Sequence, residues 1–343
     1  MNALPVRASA ITLSLLGVMV ACDAEHSGHE RAKEPIPRVE RTLSFVTQLR
    51  SLPMPASDEA MYISVADLRA LSAANGVAIP ERTDEPAVLE WTRVLAGNGT
   101  TPSVAAAELP WLIRGEPTAF MSETGLSAAD FRMFASLITT PEEFTVVRGT
   151  WAGITPARSL TPVEDGIVSV GKGDDYVASR GVSVHGADFY GRPVRLARVA
   201  DRIALSLSTP MTRRWRDGRG PTLADDPALL AIGQRLDQTD VLSAYLVAPS
   251  TDDGAYGIGW AVDKGAPQIV GVYDGGCVEG AKRMVEPLRE AFSGPMRLKS
   301  ISAEGRTVLA TLTLGRSATV LTPLEALEHG KWPLAPVGAT AIC

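Results

Sequence analysis

Tyr256-Gly257-Ile258-Gly259-Trp260-Ala261-Val262 and Pro267-Gln268-Ile269-Val270-Gly271-Val272-Tyr273, joined through Asp263-Lys264-Gly265, decide the fold class of this 343-residue chain. Both runs carry β-branched and aromatic residues, and a turn-forming triplet separates them, which predicts a β-hairpin. A helical pattern follows from about Cys277 to Phe292, with Val278, Ala281, Val285, Leu288 and Phe292 on one face and Pro287 inside. Met296–Ser302 and Thr307–Leu314 make another hairpin, turning at Glu304-Gly305, and Thr322-Pro323 caps a last helix.

Residues 141–250 alternate in the same way. Phe144–Trp151 reads as a strand, Thr155-Pro156 opens a brief helix, and Gly166–Lys172 is extended. Val194–Val199 and Ile203–Ser208 form a hairpin around Ala200-Asp201. Thr209-Pro210 and Asp226-Pro227 cap helices, and Val241–Val247 is the next strand. The element order is that of two ferredoxin-like β-α-β-β-α units, a duplication read from order and caps rather than from similar residues. Residues 56–140 read instead as a helical lobe. Ser64-Val65-Ala66-Asp67 and Ser127-Ala128-Ala129-Asp130 have capping-box spacing, and a further helix starts near Asp84-Glu85-Pro86 and stops at Gly97. The expected fold is therefore α+β: a helical lobe at 56–140, then antiparallel sheet with helices in units at 141–250 and 251–343.

Upstream, Arg7 precedes an apolar run from Ala8 to Ala21, and Met19-Val20-Ala21-Cys22 closes it. A basic n-region, a short apolar stretch and a small residue at the cut form a secretory signal. The run is shorter than the about 20 residues a spanning helix needs. Cysteine placed there resembles the lipobox of bacterial lipoproteins, with Met19 where Leu is commoner. The resemblance implies a signal at 1–21, lipidation and palmitate on Cys22, and an extracytoplasmic body held at the cell membrane. Residues 22–55, with Pro35, Pro37, Pro53 and Pro55, read as a flexible linker. The run Met61–Leu68, the segment Gly125-Leu126-Ser127 to Gly149 and the helix after Tyr273-Asp274 also resemble parts of exported bacterial lipoproteins. That resemblance implies no activity and no catalytic residue.

The formal net charge of -6 argues against nucleic acid as a partner. Besides Cys22 there are two cysteines, Cys277 and Cys343, an even pair for a compartment in which disulfides persist. The expected bond is Cys277–Cys343, with two free thiols as the rival. Arg192, Arg195, Arg198, Arg202, Arg213, Arg214, Arg216 and Arg219 form a basic island against only Asp201 and Asp217. Arg213, Arg214 and Arg216 share a helix beside Trp215, a surface suited to anionic headgroups or an anionic partner, or else a solvated face with ion pairs.

Chemical motifs fail on inspection. Gly166–Gly173 has Walker A spacing, but Gly173 stands where a Mg²⁺-holding hydroxyl is needed, and Ile167-Val168-Ser169-Val170 reads as strand. Gly181-Val182-Ser183-Val184-His185-Gly186 misses a nucleophile elbow by one glycine. Ser183 and His185 share one face of a short strand and could touch, with Asp174, Asp175 or Asp188 as the orienting acid. His26 and His29 lie in the linker, where no helix would align them on a metal. Asp225-Asp226 and Asp252-Asp253 read as cap and turn residues rather than acid pairs. No cofactor or metal site is expected. The leading expectation is a lipid-anchored, non-enzymatic binding or envelope-interaction module. The alternatives are an extracytoplasmic hydrolase using Ser183 and His185, and a carrier of an apolar small molecule, which a deep apolar cavity would favour.

Overall fold

A computed structural model of the protein describes residues 43–97, 104–106, 117–151, 157–178, 191–250, 254–292, 295–316, 318–328 and 332. Twelve strands run through them: β1 (Met61–Asp67), β2 (Phe131–Thr139), β3 (Glu142–Gly149), β4 (Thr161–Glu164), β5 (Ile167–Val170), β6 (Val194–Val199), β7 (Arg202–Ser206), β8 (Val241–Ala248), β9 (Tyr256–Asp263), β10 (Ala266–Asp274), β11 (Met296–Glu304) and β12 (Thr307–Leu314). The helices among the described residues are α1 (Phe45–Ser51), α2 (Leu68–Ala74), α3 (Glu85–Leu95), α4 (Pro117–Thr124), α5 (Thr209–Arg216), α6 (Pro227–Asp237), α7 (Val278–Ala291) and α8 (Thr322–Glu328). None of them is long and apolar enough to cross a membrane.

All twelve strands belong to one antiparallel sheet, in the order β11-β12-β10-β9-β8-β1-β2-β3-β7-β6-β5-β4. The same connection occurs twice. β1, β2 and β3 form a meander, and the later hairpin β6–β7 returns so that β7 lies against β3. β8, β9 and β10 form a second meander, and hairpin β11–β12 returns so that β12 lies against β10. The two sets meet where β1 pairs β8, with Val65 opposite Ala244. β8, read from the sequence as the last strand of the first ferredoxin-like unit, lies beside β1, so that β1 and β2 stand between it and β3. Every neighbouring pair here is antiparallel.

The helical lobe expected at 56–140 is corrected in two places. Met61–Asp67 is a strand paired on both edges, and its apolar residues pack on both faces of the sheet because each face carries a core layer. Asp67 does cap a helix, but it caps α2: its carboxylate accepts from Ala70 N at 2.9 Å. The box at Ser127 and Asp130 forms as read, yet it closes a single 3₁₀ turn, after which the chain extends into β2. Pairing with β1 and β3 overrides the spacing of Phe131, Phe134 and Ile138, which had suggested a helix. α3 forms where its cap predicted, with Asp84 accepting from Ala87 N.

One face of the sheet carries α2, α3, α4 and α7, represented by Leu71, Trp91, Phe120 and Met284 in one core. The other face carries α1, α5 and α6, through Leu49, Met211 and Ile232. The carboxylate of Asp226 accepts from Ala228 N and Leu229 N to start α6, as the sequence predicted for a capping acid.

Where β10 meets β12, Arg306 clasps the Asp274 carboxylate through Nε at 2.5 Å and Nη2 at 2.7 Å. The Asp274 side chain is 1% exposed while Arg306 stays partly exposed, so the arginine covers a buried carboxylate at the end of the second meander. Arg306→Ala strands that carboxylate and is expected to lower stability by about 3–5 kcal/mol. Arg306→Lys, which cannot form the two-pronged contact, is expected to fall between. Urea unfolding of the three proteins checks the ranking.

Candidate functional site

Several residues singled out from the sequence lie outside the described residues: Cys22, Ser183, His185 and Cys343. Cys277 is at the N-cap of α7, half-buried, where its Sγ accepts from Gly280 N at 3.4 Å. The Cys277–Cys343 bond therefore remains a proposal resting on cysteine number and compartment.

The basic island resolves into separate contacts. Arg213 grips Glu164 through Nε at 2.8 Å and Nη2 at 2.5 Å. Arg216 reaches Asp217 at 2.8 Å, and Arg192 reaches Glu143 at 3.5 Å. Arg202 sits over the Trp215 ring, 5.8 Å from its centroid. These pairs hold the Glu164 and Asp217 carboxyls below their ordinary range, with the hydrogen bond from the arginine as the main cause. So two of the three helix arginines, Arg213 and Arg216, already have acidic partners within the chain.

Arg195 is 4% exposed and organises a polar knot on the face opposite Leu196. Its Nε donates to Asp175 Oδ1 at 2.9 Å and to Thr209 Oγ1 at 3.0 Å, Nη1 donates to Ser169 Oγ, and Nη2 donates to Gly173 O. Asp175 also accepts from Thr209 N at 2.7 Å, so it caps α5 from a distant loop. Both its oxygens thus accept hydrogen bonds within the fold, and His185 lies outside the described residues. The Walker-like stretch is likewise structural: Ile167–Val170 is β5, flanked by Gly166 and Gly171 at positive φ.

Near this knot, the Glu142 carboxyl has one buried oxygen without a partner. Burial raises it above its ordinary value of 4.5, against the opposing pull of Arg214 and a backbone hydrogen bond at Ala56.

A cavity of about 220 Å³ lies on the face that carries α4. Val168, Leu196 and Ile203 form its floor on β5, β6 and β7, and Leu126, Leu160 and Trp151 form its walls. Gly149 makes the Trp151 wall possible. A Cβ there would stand 2.3 Å from Asp130 O and 2.8 Å from the Trp151 ring. Phe131 packs edge-on against the same indole at 5.9 Å.

The polar side-chain atoms of this wall are few. Thr124 Oγ1 is engaged, donating to Phe120 O at 2.7 Å and accepting from Leu126 N. Trp151 is 4% exposed, and its buried indole N–H has no hydrogen-bond partner. Other buried indoles contrast with it: Trp91 donates to Ser72 Oγ at 2.8 Å and Trp260 to Val320 O at 2.7 Å. Trp332 is like Trp151 in this respect: its indole N–H, and the Tyr273 hydroxyl beside it, are also buried without a hydrogen-bond partner. A buried donor left unmade costs about 1–3 kcal/mol, and that of Trp151 belongs to a residue that lines the cavity.

Sequence reading named neither Trp151 nor Arg198 as a site residue. Arg198 also lines this cavity. One signal was present: Val194, Leu196 and Arg198 share a face of β6 by period-two alternation, which places a cation at the end of an apolar row.

Compared with protein-family models, with curated proteins and with solved structures, the chain finds no match.

Two predictions follow from these contacts. A carboxyl raised in the folded state contributes stability that is complete below the unfolded value and is lost as pH rises through the folded value. Glu142→Gln is therefore expected to flatten the decline of stability with pH above about 4.5, where the ordinary carboxyl titrates. Denaturant midpoints between acid and neutral pH check this. Gly149→Ala is expected to destabilise by about 1–3 kcal/mol by overpacking, with a shift in tryptophan emission as the Trp151 indole is displaced.

Proposed function

We propose that this chain is a lipid-anchored extracytoplasmic binding protein whose body takes an apolar small molecule into the cavity beneath Trp151. The observation that carries the reading is the cavity itself: an apolar floor and walls, with an unpartnered indole N–H on a residue that forms one wall. The cavity is open to solvent on one side, and its largely apolar lining favours an apolar guest. The sequence supplies the address, with Cys22 as the attachment point of the lipid and the residues between it and α1 as the tether; the flexible linker read at 22–55 is corrected at its end, because Phe45, Leu49 and Leu52 are buried in the core. The reading is non-enzymatic; of the acids named beside Ser183 and His185, Asp175 is used within the fold to hold the start of α5, and Ser183, His185 and Asp188 lie outside the described residues.

The test uses the full chain with Cys22→Ser, titrated with naphthalene and followed by tryptophan fluorescence. Saturable quenching is expected, and Val168→Phe, which fills the floor, is expected to weaken it at least about tenfold with unchanged circular dichroism. Quenching that never saturates, or that Val168→Phe leaves untouched, would refute the cavity as the site. For the anchor, Cys22→Ala is expected to move the protein from the detergent phase to the aqueous phase on partition, and equal partition of both proteins would refute lipidation.

A further inference from the structure

We propose that the ligand of this cavity is an amphiphile with one anionic end, a carboxylate or a phosphate, held by Arg198. The inference rests on the cavity being a ligand site. Three observations carry it. First, Arg198 lines the cavity but is itself exposed, so its guanidinium stands at the boundary between the apolar interior and water. Second, no carboxylate answers it among the described residues. Its one recorded contact is Nε to the Ala200 carbonyl at 3.4 Å, and the nearest acid in sequence, Asp201, is engaged by Arg148. This sets it apart from Arg192, Arg195, Arg213 and Arg216 in the same island, each of which has an acidic partner.

Third, the side chains of the wall offer donors without acceptors. The Arg198 guanidinium makes one long contact to a backbone carbonyl, the Thr124 hydroxyl is already engaged on both sides, and the unpaired Trp151 N–H is buried behind the wall. A guest that satisfies such a wall must bring acceptors, and an anion brings the strongest ones. The remaining lining is hydrocarbon, which rejects a wholly polar anion. Apolar body and anionic end are therefore required together. The size is bounded as well: an apolar cavity of about 150 Å³ accommodates benzene, so about 220 Å³ suits a short alkyl chain or a single substituted ring.

The experiment measures binding of 1-octanol, octanoate and octyl phosphate to the full chain with Cys22→Ser, by calorimetry at low and high salt. Octanoate or octyl phosphate is expected to bind about tenfold more tightly than 1-octanol at low salt, with the preference shrinking as salt rises. Whichever anion gains more identifies the head group. Arg198→Gln is expected to abolish that preference, so that the two anions bind no more tightly than 1-octanol. Equal binding of all three, unaffected by Arg198→Gln, would overturn the anionic end and leave the apolar cavity standing. Binding of none of them would overturn both.

Discussion

The antiparallel pairing of β1 with β8 is the constraint on which the rest of the structure depends. Each of these strands is the first of its own meander, and each would be an exposed edge without the other. Paired, they join two strand sets into one sheet and place their backbone groups in its middle, where every residue of β8 is buried. The glycines of the neighbouring β9 permit close approach there. A Cβ on Gly257 would meet Leu246 at 2.4 Å, and one on Gly259 would meet Val241 at 2.9 Å. With the centre fixed, the returning hairpins β6–β7 and β11–β12 take the outer positions, and the helices distribute over two faces.

That arrangement also locates the cavity. It forms away from the central seam, over β5, β6 and β7, where the covering layer consists of Leu126 after α4, Trp151 after β3 and Leu160 before β4. Elsewhere on this face, regular helices press directly onto the sheet, as Met284 and Leu288 of α7 do. Loop residues follow the sheet surface less closely than a helix does, and the space between them is where an apolar guest fits. The charged groups of the same region are mostly neutralised internally. Arg195 with Asp175 fixes the loop at 173–175 to α5, and Arg213 with Glu164 fixes the β4–β5 turn to the same helix. Their role is to hold segments in place, and Arg198, which lines the cavity, has no recorded acidic partner among the described residues.

Much of the second half was legible in the sequence because its signals agreed with one another. The hairpin at 256–273, helix 278–291 and hairpin 296–314 have turn residues, periodicity and length that all point the same way. The first half was less legible because local and tertiary preferences conflict. Ser64 to Asp67 has the spelling of a capping box, yet Met61-Tyr62-Ile63-Ser64-Val65 is a strand once β2 and β8 flank it. Ser127 and Asp130 form a true box that the chain leaves after one turn. The strand order was not legible at all, since nothing local in β7 or β12 announces β3 or β10 as its neighbour. The site was hidden for a similar reason: Trp151, Leu160 and Ile203 are distant in sequence, and only Arg198 breaks a pattern.

The central claim is that the cavity beneath Trp151 receives a ligand. It is tested most directly by the indole N–H signals of the six tryptophans in a ¹⁵N–¹H correlation spectrum, with Trp151 assigned by Trp151→Phe. On titration with octanoate, the account predicts that the Trp151 signal moves furthest and saturates, while the Trp91 and Trp260 signals, already hydrogen-bonded within the protein, stay in place. A Trp151 signal that does not move, or six signals that drift together without saturation, would contradict it.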